Sequence, residues 1–177
     1  SGPDDPAGTG DARFTFSADE LGASFVCRLD AADFAPCTSP VDVAGLSDGP
    51  HAFEVRATSA AGLKDQSPAR FTWTVDTALP ETFLDGAPPA ETNQTAATFN
   101  FSADDPLTTF SCSLDGGAFA ACPSGVLFEG LAAGPHTFAV RATDLAGNTD
   151  TTPATHAWTI DLVPPDAPTL AAPAEGE

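Results

Sequence analysis

Apolar and polar residues alternate with period two in short runs along the chain. Arg13-Phe14-Thr15-Phe16-Ser17, His51-Ala52-Phe53-Glu54-Val55-Arg56 and Phe71-Thr72-Trp73-Thr74-Val75 all show the pattern, and so do runs around Phe99, His136 and Trp158. Alternation of this kind places every second side chain on one face of a strand, so that one face is buried and the other is wet. The runs are bounded by Gly, Pro, Asp and Asn. No window carries an apolar stripe of helical period, and 17 Pro with 15 Gly interrupt nearly every stretch that could hold one. The pattern predicts an all-β chain of short strands at the spacing of a β-sandwich.

The runs recur as a set. Phe14-Thr15-Phe16-Ser17-Ala18-Asp19 returns as Phe99-Asn100-Phe101-Ser102-Ala103-Asp104, an offset of 85 residues. The same offset carries Cys27 to Cys112, Cys37 to Cys122, Gly49-Pro50-His51 to Gly134-Pro135-His136, Trp73 to Trp158 and Asp76 to Asp161 without a gap. This is a duplicated domain, with the boundary near Pro80 and Glu81. Residues 1–80 form one repeat, 81–165 a second, and 166–177 the start of a further module or a linker. In this register Ser1 matches Gly86, so the first repeat has no counterpart of Glu81-Thr82-Phe83-Leu84-Asp85 and its first strand is expected to be missing. The chain reads as a window on a longer tandem array. Each repeat is predicted to hold about seven strands.

These residues resemble the bacterial immunoglobulin-like repeats found in tandem in large secreted and cell-surface proteins. The resemblance rests on Phe-x-Phe-Ser-Ala-Asp, on Cys-x-Leu-Asp with a second Cys ten positions on, and on Gly-Pro-His-x-Phe-x-Val-Arg-Ala-Thr. Asp144-Leu-Ala-Gly-Asn148 and Trp-Thr-Val/Ile-Asp before a Pro-rich junction complete it. It implies two tandem immunoglobulin-like or fibronectin-III-like β-sandwiches, used as spacers, adhesive modules or appendages of enzymes. The first repeat departs from it at one loop, with Ser59 and Leu63 where the second has Asp144 and Asn148.

Charge narrows the partners. The 177 residues carry 25 Asp and Glu against 6 Lys and Arg, a net charge of -19 and a pI near 4.1. A nucleic-acid binder needs Lys and Arg to displace counterions from phosphate, and an anionic membrane surface repels such a chain. No uncharged apolar run is long enough to span a membrane. The 42% hydrophobic content and 13 Phe nevertheless supply enough apolar surface for a folded core. Like charge on neighbouring repeats favours an extended, soluble array.

Four Cys at two identical ten-residue spacings, Cys27/Cys37 and Cys112/Cys122, bracket turn signals such as Asp115-Gly116-Gly117 and read as one disulfide per repeat. Neither Cys-x-x-Cys nor His at ligand spacing favours a metal instead. Small secreted domains use such bridges as staples, which implies an extracellular or cell-surface setting. His51 and His136 recur where sandwich folds place a Tyr that pins a corner, so both are expected as structural corner anchors. His156 has no His at its counterpart, Phe71, and reads as a surface residue. Asp19, Glu20, Asp76, Asp104, Asp105 and Asp161 are weak Ca²⁺ candidates, since Ca²⁺ takes hard oxygens from loops and related tandem repeats stiffen with it. No Asp-x-Asp-x-Asp-Gly loop is present, and Asp144–Asn148 reads as a tight turn.

No Gly-x-Ser-x-Gly or His-Glu-x-x-His motif marks a catalytic centre, so the chain is expected not to be an enzyme and to need no cofactor. The sequence points to a spacer or stalk whose partners are neighbouring repeats. Two readings compete with it: a module that recognises a glycan or protein, and an assembly subunit in which a Pro168-Thr169-Leu170 strand completes another copy.

Overall fold

The computed structural model describes residues 1–168, all of them in strands, turns and loops. The first repeat builds six strands in two sheets. β1 (Ala12–Phe14) pairs with β4 (Val41–Val43), and β2 (Ser24–Leu29), β3 (Ala35–Cys37), β5 (Gly49–Thr58) and β6 (Ala69–Val75) form a second sheet in the order β3-β2-β5-β6. Every pair is antiparallel. Ala7 adds a parallel bridge to Val75 at the edge.

The second repeat repeats this plan with eight strands. β7 (Thr82–Gly86), β9 (Ala97–Ala103) and β12 (Val126–Phe128) form one sheet in the order β12-β9-β7. β8 (Glu91–Thr92), β10 (Thr109–Leu114), β11 (Ala120–Ala121), β13 (Gly134–Thr143) and β14 (Ala154–Ile160) form the other, ordered β11-β10-β13-β14-β8. β8 runs parallel to β14, as Ala7 does to Val75. Fourteen strands over two sandwiches match the seven per repeat that the alternation predicts. At the place of β7 the first repeat has Ser1, which exchanges backbone hydrogen bonds of 3.0 and 3.2 Å with Thr15.

Alternation decides which rings fill the space between the sheets. β9 and β13 bury every second residue, and Phe99, Phe138, Val140 and Trp158 are all at most 3% exposed. Phe99 lies flat against Phe138 with centroids 3.9 Å apart, and Trp158 tilts against Phe99 at 5.3 Å. The first repeat copies this packing: Phe14 on Phe53 at 4.1 Å and Trp73 on Phe14 at 5.1 Å. Each pair joins one sheet to the other, so the core is an aromatic column repeated at the sequence offset.

The chain divides into two compact units. One comprises Ser1–Thr82, Ala103–Phe110 and Arg141–Pro153; the other comprises Phe83–Ser102, Ser111–Val140 and the chain from Ala154 onward. Two loop-bearing segments of the second repeat, Ala103–Phe110 and Arg141–Pro153, therefore group with the first 82 residues. The module or linker expected at 166–177 lies, from Thr169 on, outside the described residues.

Candidate functional site

His51 and His136 hold equivalent positions two residues into β5 and β13. His136 Nδ1 is 2.8 Å from Asp115 Oδ2, and Nε2 is 2.9 Å from the Ala132 carbonyl. In the first repeat the same distances are 2.9 Å to Asp30 and 2.8 Å to the Ser47 carbonyl. Both neighbours of each ring accept hydrogen bonds and neither donates. Only the imidazolium, with a proton on each nitrogen, satisfies both. The backbone carbonyl first and the carboxylate second hold each His above its ordinary pKa, against the opposing effect of burial. Asp30 and Asp115 are held low in turn: burial alone would raise them, but hydrogen bonds from the His rings and from the Ala52 and Thr137 amides outweigh it.

Asp30 and Asp115 sit at φ 52° at the turn after β2 and β10, a left-handed conformation that Asp tolerates better than most residues. That backbone lets one carboxylate oxygen accept from the strand amide and the other from the ring. The sequence did carry a signal for them, because both belong to the recurring Cys-x-Leu-Asp and both lie 21 residues before the His.

A pH dependence follows. A His pKa raised by folding contributes stability that is full below the unfolded value, near 6.5, and fades as pH rises through the folded value. The lowered Asp pKa keeps its contribution down to about pH 4. The thermal midpoint is expected to be higher at pH 6 than at pH 8. The double variant His51→Gln, His136→Gln should flatten that difference, and equal midpoints for the parent chain at both pH values would contradict the ion-pair assignment.

Cys27 is bonded to Cys37 and Cys112 to Cys122, with Cα atoms 5.7 and 5.9 Å apart. Neither bridge joins directly opposed residues. Cys27 faces Ala35 across the ladder and Cys112 faces Ala120, so each bridge runs diagonally over a hairpin.

His156 is not the surface residue expected. Its parity on β14 is that of Trp158, so the ring turns inward and lies 6.0 Å from Trp158 and 6.2 Å from Phe99. It is half-buried, and its buried Nε2 has no hydrogen-bond partner.

The acidic candidates separate. Asp76 and Asp105 come together with Asp144, their ligand oxygens all within 4.8 Å of one another, inside the first compact unit. Asp104 instead accepts from the Glu81 amide at 2.8 Å, and Asp161 from the Val163 amide at 2.8 Å. Asp19 and Glu20 are exposed. Asp144, read from the sequence as a turn residue, is both: its two oxygens accept from the Asn148 amide and side chain at 2.8 and 2.9 Å, and Gly147 closes the turn at φ 88°. Asn148 also donates to the Asp76 carbonyl at 2.8 Å. The donors are hard oxygens of the kind Ca²⁺ takes, but three carboxylates are about half of its six to eight ligands, and Asp144 is already occupied by Asn148.

No family model matches the sequence, and no curated protein matches it. Among solved structures, the chain is similar to the fibronectin(III)-like modules of Clostridium thermocellum CbhA, with 14% identity over 93% of this chain and 94% of that one and a TM-score of 0.54. The fold is immunoglobulin/fibronectin-III-like. Two weaker likenesses add nothing to this. One is to the central fibronectin-III array of RIM-binding protein, at 16% identity over 88% of this chain and 66% of that one, with a TM-score of 0.34. The other is to a structure from work on host cell surface retention of a 1.5-MDa bacterial ice-binding adhesin, at 16% identity over 85% and 57%, with a TM-score of 0.45. In this fibronectin-III-like frame the His–Asp pairs hold the turn after β2 or β10 to the approach of β5 or β13, and the bridges hold the neighbouring hairpins.

Proposed function

We propose that the chain is a non-enzymatic, structural segment of a secreted or cell-surface protein, acting as a spacer that carries or presents other parts. The observation that supports this most is where the repeated chemistry goes. His51, His136, their Asp partners and all four Cys hold strands and turns together in both repeats. Two disulfides in domains of this size fit an oxidising compartment. A recognition module reading glycans by stacking needs an exposed aromatic platform, whereas Trp73 and Trp158 are 2% and 3% exposed. Neither catalytic chemistry nor a bound metal enters the proposal. Its partners are neighbouring repeats of the same polypeptide.

Small-angle scattering with multi-angle light scattering tests it, in millimolar Ca²⁺ and again in chelator. The expected result is one profile under both conditions. A profile that changes with Ca²⁺ would overturn the passive spacer and move Asp76, Asp105 and Asp144 to the centre of the function.

A further inference from the structure

The two repeats serve as controls for each other, because charges kept by one copy alone are charges the fold does without. On the first repeat, Arg28 of β2 stands directly opposite Glu54 of β5, and Glu54 directly opposite Arg70 of β6. Their parity is opposite to that of the buried Cys27, Phe53 and Trp73, so the row lies on the outward face of the sheet. The matching row of the second repeat is Ser113, Ala139 and Thr155, and Asp5, which borders the same face, becomes Ala90. Phe34 and Arg56 beside the row do recur, as Phe119 and Arg141, and the His51–Asp30 pair recurs as His136–Asp115. What the first repeat adds to the shared frame is four charges on one face.

These charges line a trough of about 710 Å³, floored by the small, directly opposed Ala52 and Thr72 and bordered at its far end by Thr74 and Asp5. The corresponding hollow of the second repeat is about 260 Å³, and no Asp, Glu, Lys or Arg lines it. Inside the trough the acids have spent most of their oxygens, whereas the arginines have kept most of their N–H groups. Asp30 accepts from His51 and from the Ala52 amide, and Glu54, only 14% exposed, accepts from Arg28 Nη2 at 2.8 Å. Arg28 is steadied by that bond and by Phe34, whose ring centroid is 4.6 Å from its guanidinium carbon, and is still 35% exposed. Arg70 is 62% exposed, and its Nε is 3.7 Å from Glu54, an ion pair too long for a hydrogen bond. Its guanidinium has no other acceptor among the described residues. Asp5 accepts from the Thr74 amide with one oxygen, which leaves the other open four residues along β6 from Arg70, about 13 Å away.

We propose that this trough binds an oligosaccharide carrying one sugar carboxylate, which Arg28 and Arg70 hold while hydroxyl groups further along meet Thr72, Thr74 and the open oxygen of Asp5. This goes beyond the spacer reading, since it puts a ligand site on a segment that otherwise only extends. Two guanidinium groups with unspent donors flank one covered carboxylate, and their planar forks fit a second, incoming carboxylate. A ligand charged along its whole length is repelled by the rest of a chain of net charge -19, so a single acid among neutral rings is the better match. A peptide would need apolar pockets for its side chains, and the floor offers only methyl and hydroxyl groups. Recognition here runs through charge and hydrogen bonds and needs no stacking ring.

Titration of the full chain with an aldotriouronic acid, one glucuronate on xylobiose, followed by amide NMR, tests it. Saturable shifts are expected at Ala52, Glu54, Arg70 and Thr72 and none at their counterparts Thr137, Ala139, Thr155 and Ala157. Neutral xylotriose and free acetate should each bind at least about tenfold more weakly, the worth of the charged hydrogen bonds or of the hydroxyl contacts they lack. Arg28→Ser with Arg70→Thr places the second repeat's own residues in the row, so the variant should keep the parent circular dichroism and lose at least about tenfold in affinity. Arg70→Lys keeps the charge of an exposed side chain without the fork and should bind severalfold more weakly than the parent. No saturable shift by about 10 mM ligand overturns the proposal, as does xylotriose or acetate binding as tightly as the acid sugar, or the double variant binding like the parent. Tighter binding of a blocked peptide with one glutamate between glycines overturns it in favour of a peptide partner.

Discussion

Phe99→Ala should destabilise the second sandwich by about 3–5 kcal/mol, the cost of removing a fully buried aromatic ring and leaving the space it filled. Phe99 is 0% exposed and bridges the sheets, with Phe138 at 3.9 Å on one side and Trp158, Phe128 and His156 around its edge. Those neighbours are on three different strands held by their own ladders, so they cannot all move in to close the gap. A domain of this size is stable by only about 5–15 kcal/mol, so the variant should melt roughly 15–30 °C lower. Trp158 lies against the lost ring and Trp73 does not, so indole fluorescence should report an early transition for one Trp while the other holds near its parent value. Phe14→Ala, the equivalent change against Phe53 and Trp73, should reverse which Trp melts first. A loss below about 1 kcal/mol for Phe99→Ala would mean that the ring does not close the space between the sheets.

These core positions were legible in the sequence because a strand's parity is a local property. Once Phe14-x-Phe16 and Phe71-x-Trp73 are read as alternating, the inward face follows, and the 85-residue register transfers it to the second copy. The Cys pairs were legible for a similar reason, since a ten-residue spacing over a turn signal lets the two Cys face each other across a hairpin. What was not legible depends on backbone conformation or on chain segments meeting from afar. Asp30 and Asp115 become partners of His51 and His136 because a left-handed φ turns their carboxylates back toward β5 and β13, and composition alone does not reveal that turn. Asp76, Asp105 and Asp144 are 29 and 39 residues apart along the chain. Local patterning could nominate the first two but had no means of choosing Asp144 over Asp104. His156 was misread because it was compared with its counterpart, Phe71, and found unlike it. Its own parity on β14, shared with Trp158, was the better guide.

Removing the Cys112–Cys122 bridge, by Cys112→Ala with Cys122→Ala, should cost the second sandwich about 3 kcal/mol, and the corresponding change at Cys27 and Cys37 should cost the first about the same. The bridge closes a loop of ten residue steps, and in the chain-entropy model its effect lies in the unfolded state, which loses the freedom to separate β10 from β11. The folded state has less holding this hairpin than the others. β11 is two residues long and pairs with β10 through Ser111↔Ala121 and Cys112↔Ala120 alone, at the outer edge of its sheet. With so short a ladder, the bridge is the main restraint on that edge, and its loss should free β11 before the rest of the sandwich unfolds. Urea denaturation with and without reductant would show this as a midpoint lower by about 1–3 M, given a slope of about 1–3 kcal/mol/M. Amide exchange should locate the first loss of protection at Ala120 and Ala121. An unchanged midpoint on reduction would place the stability of this edge in packing instead, in the contact of Cys112 with the core, where it is 6% exposed. In that case the Cys→Ala pair should still be destabilised while the reduced parent is not, because reduction leaves the Cys112 sulfur buried and that of Cys122 half-buried where they are, and the double substitution removes both.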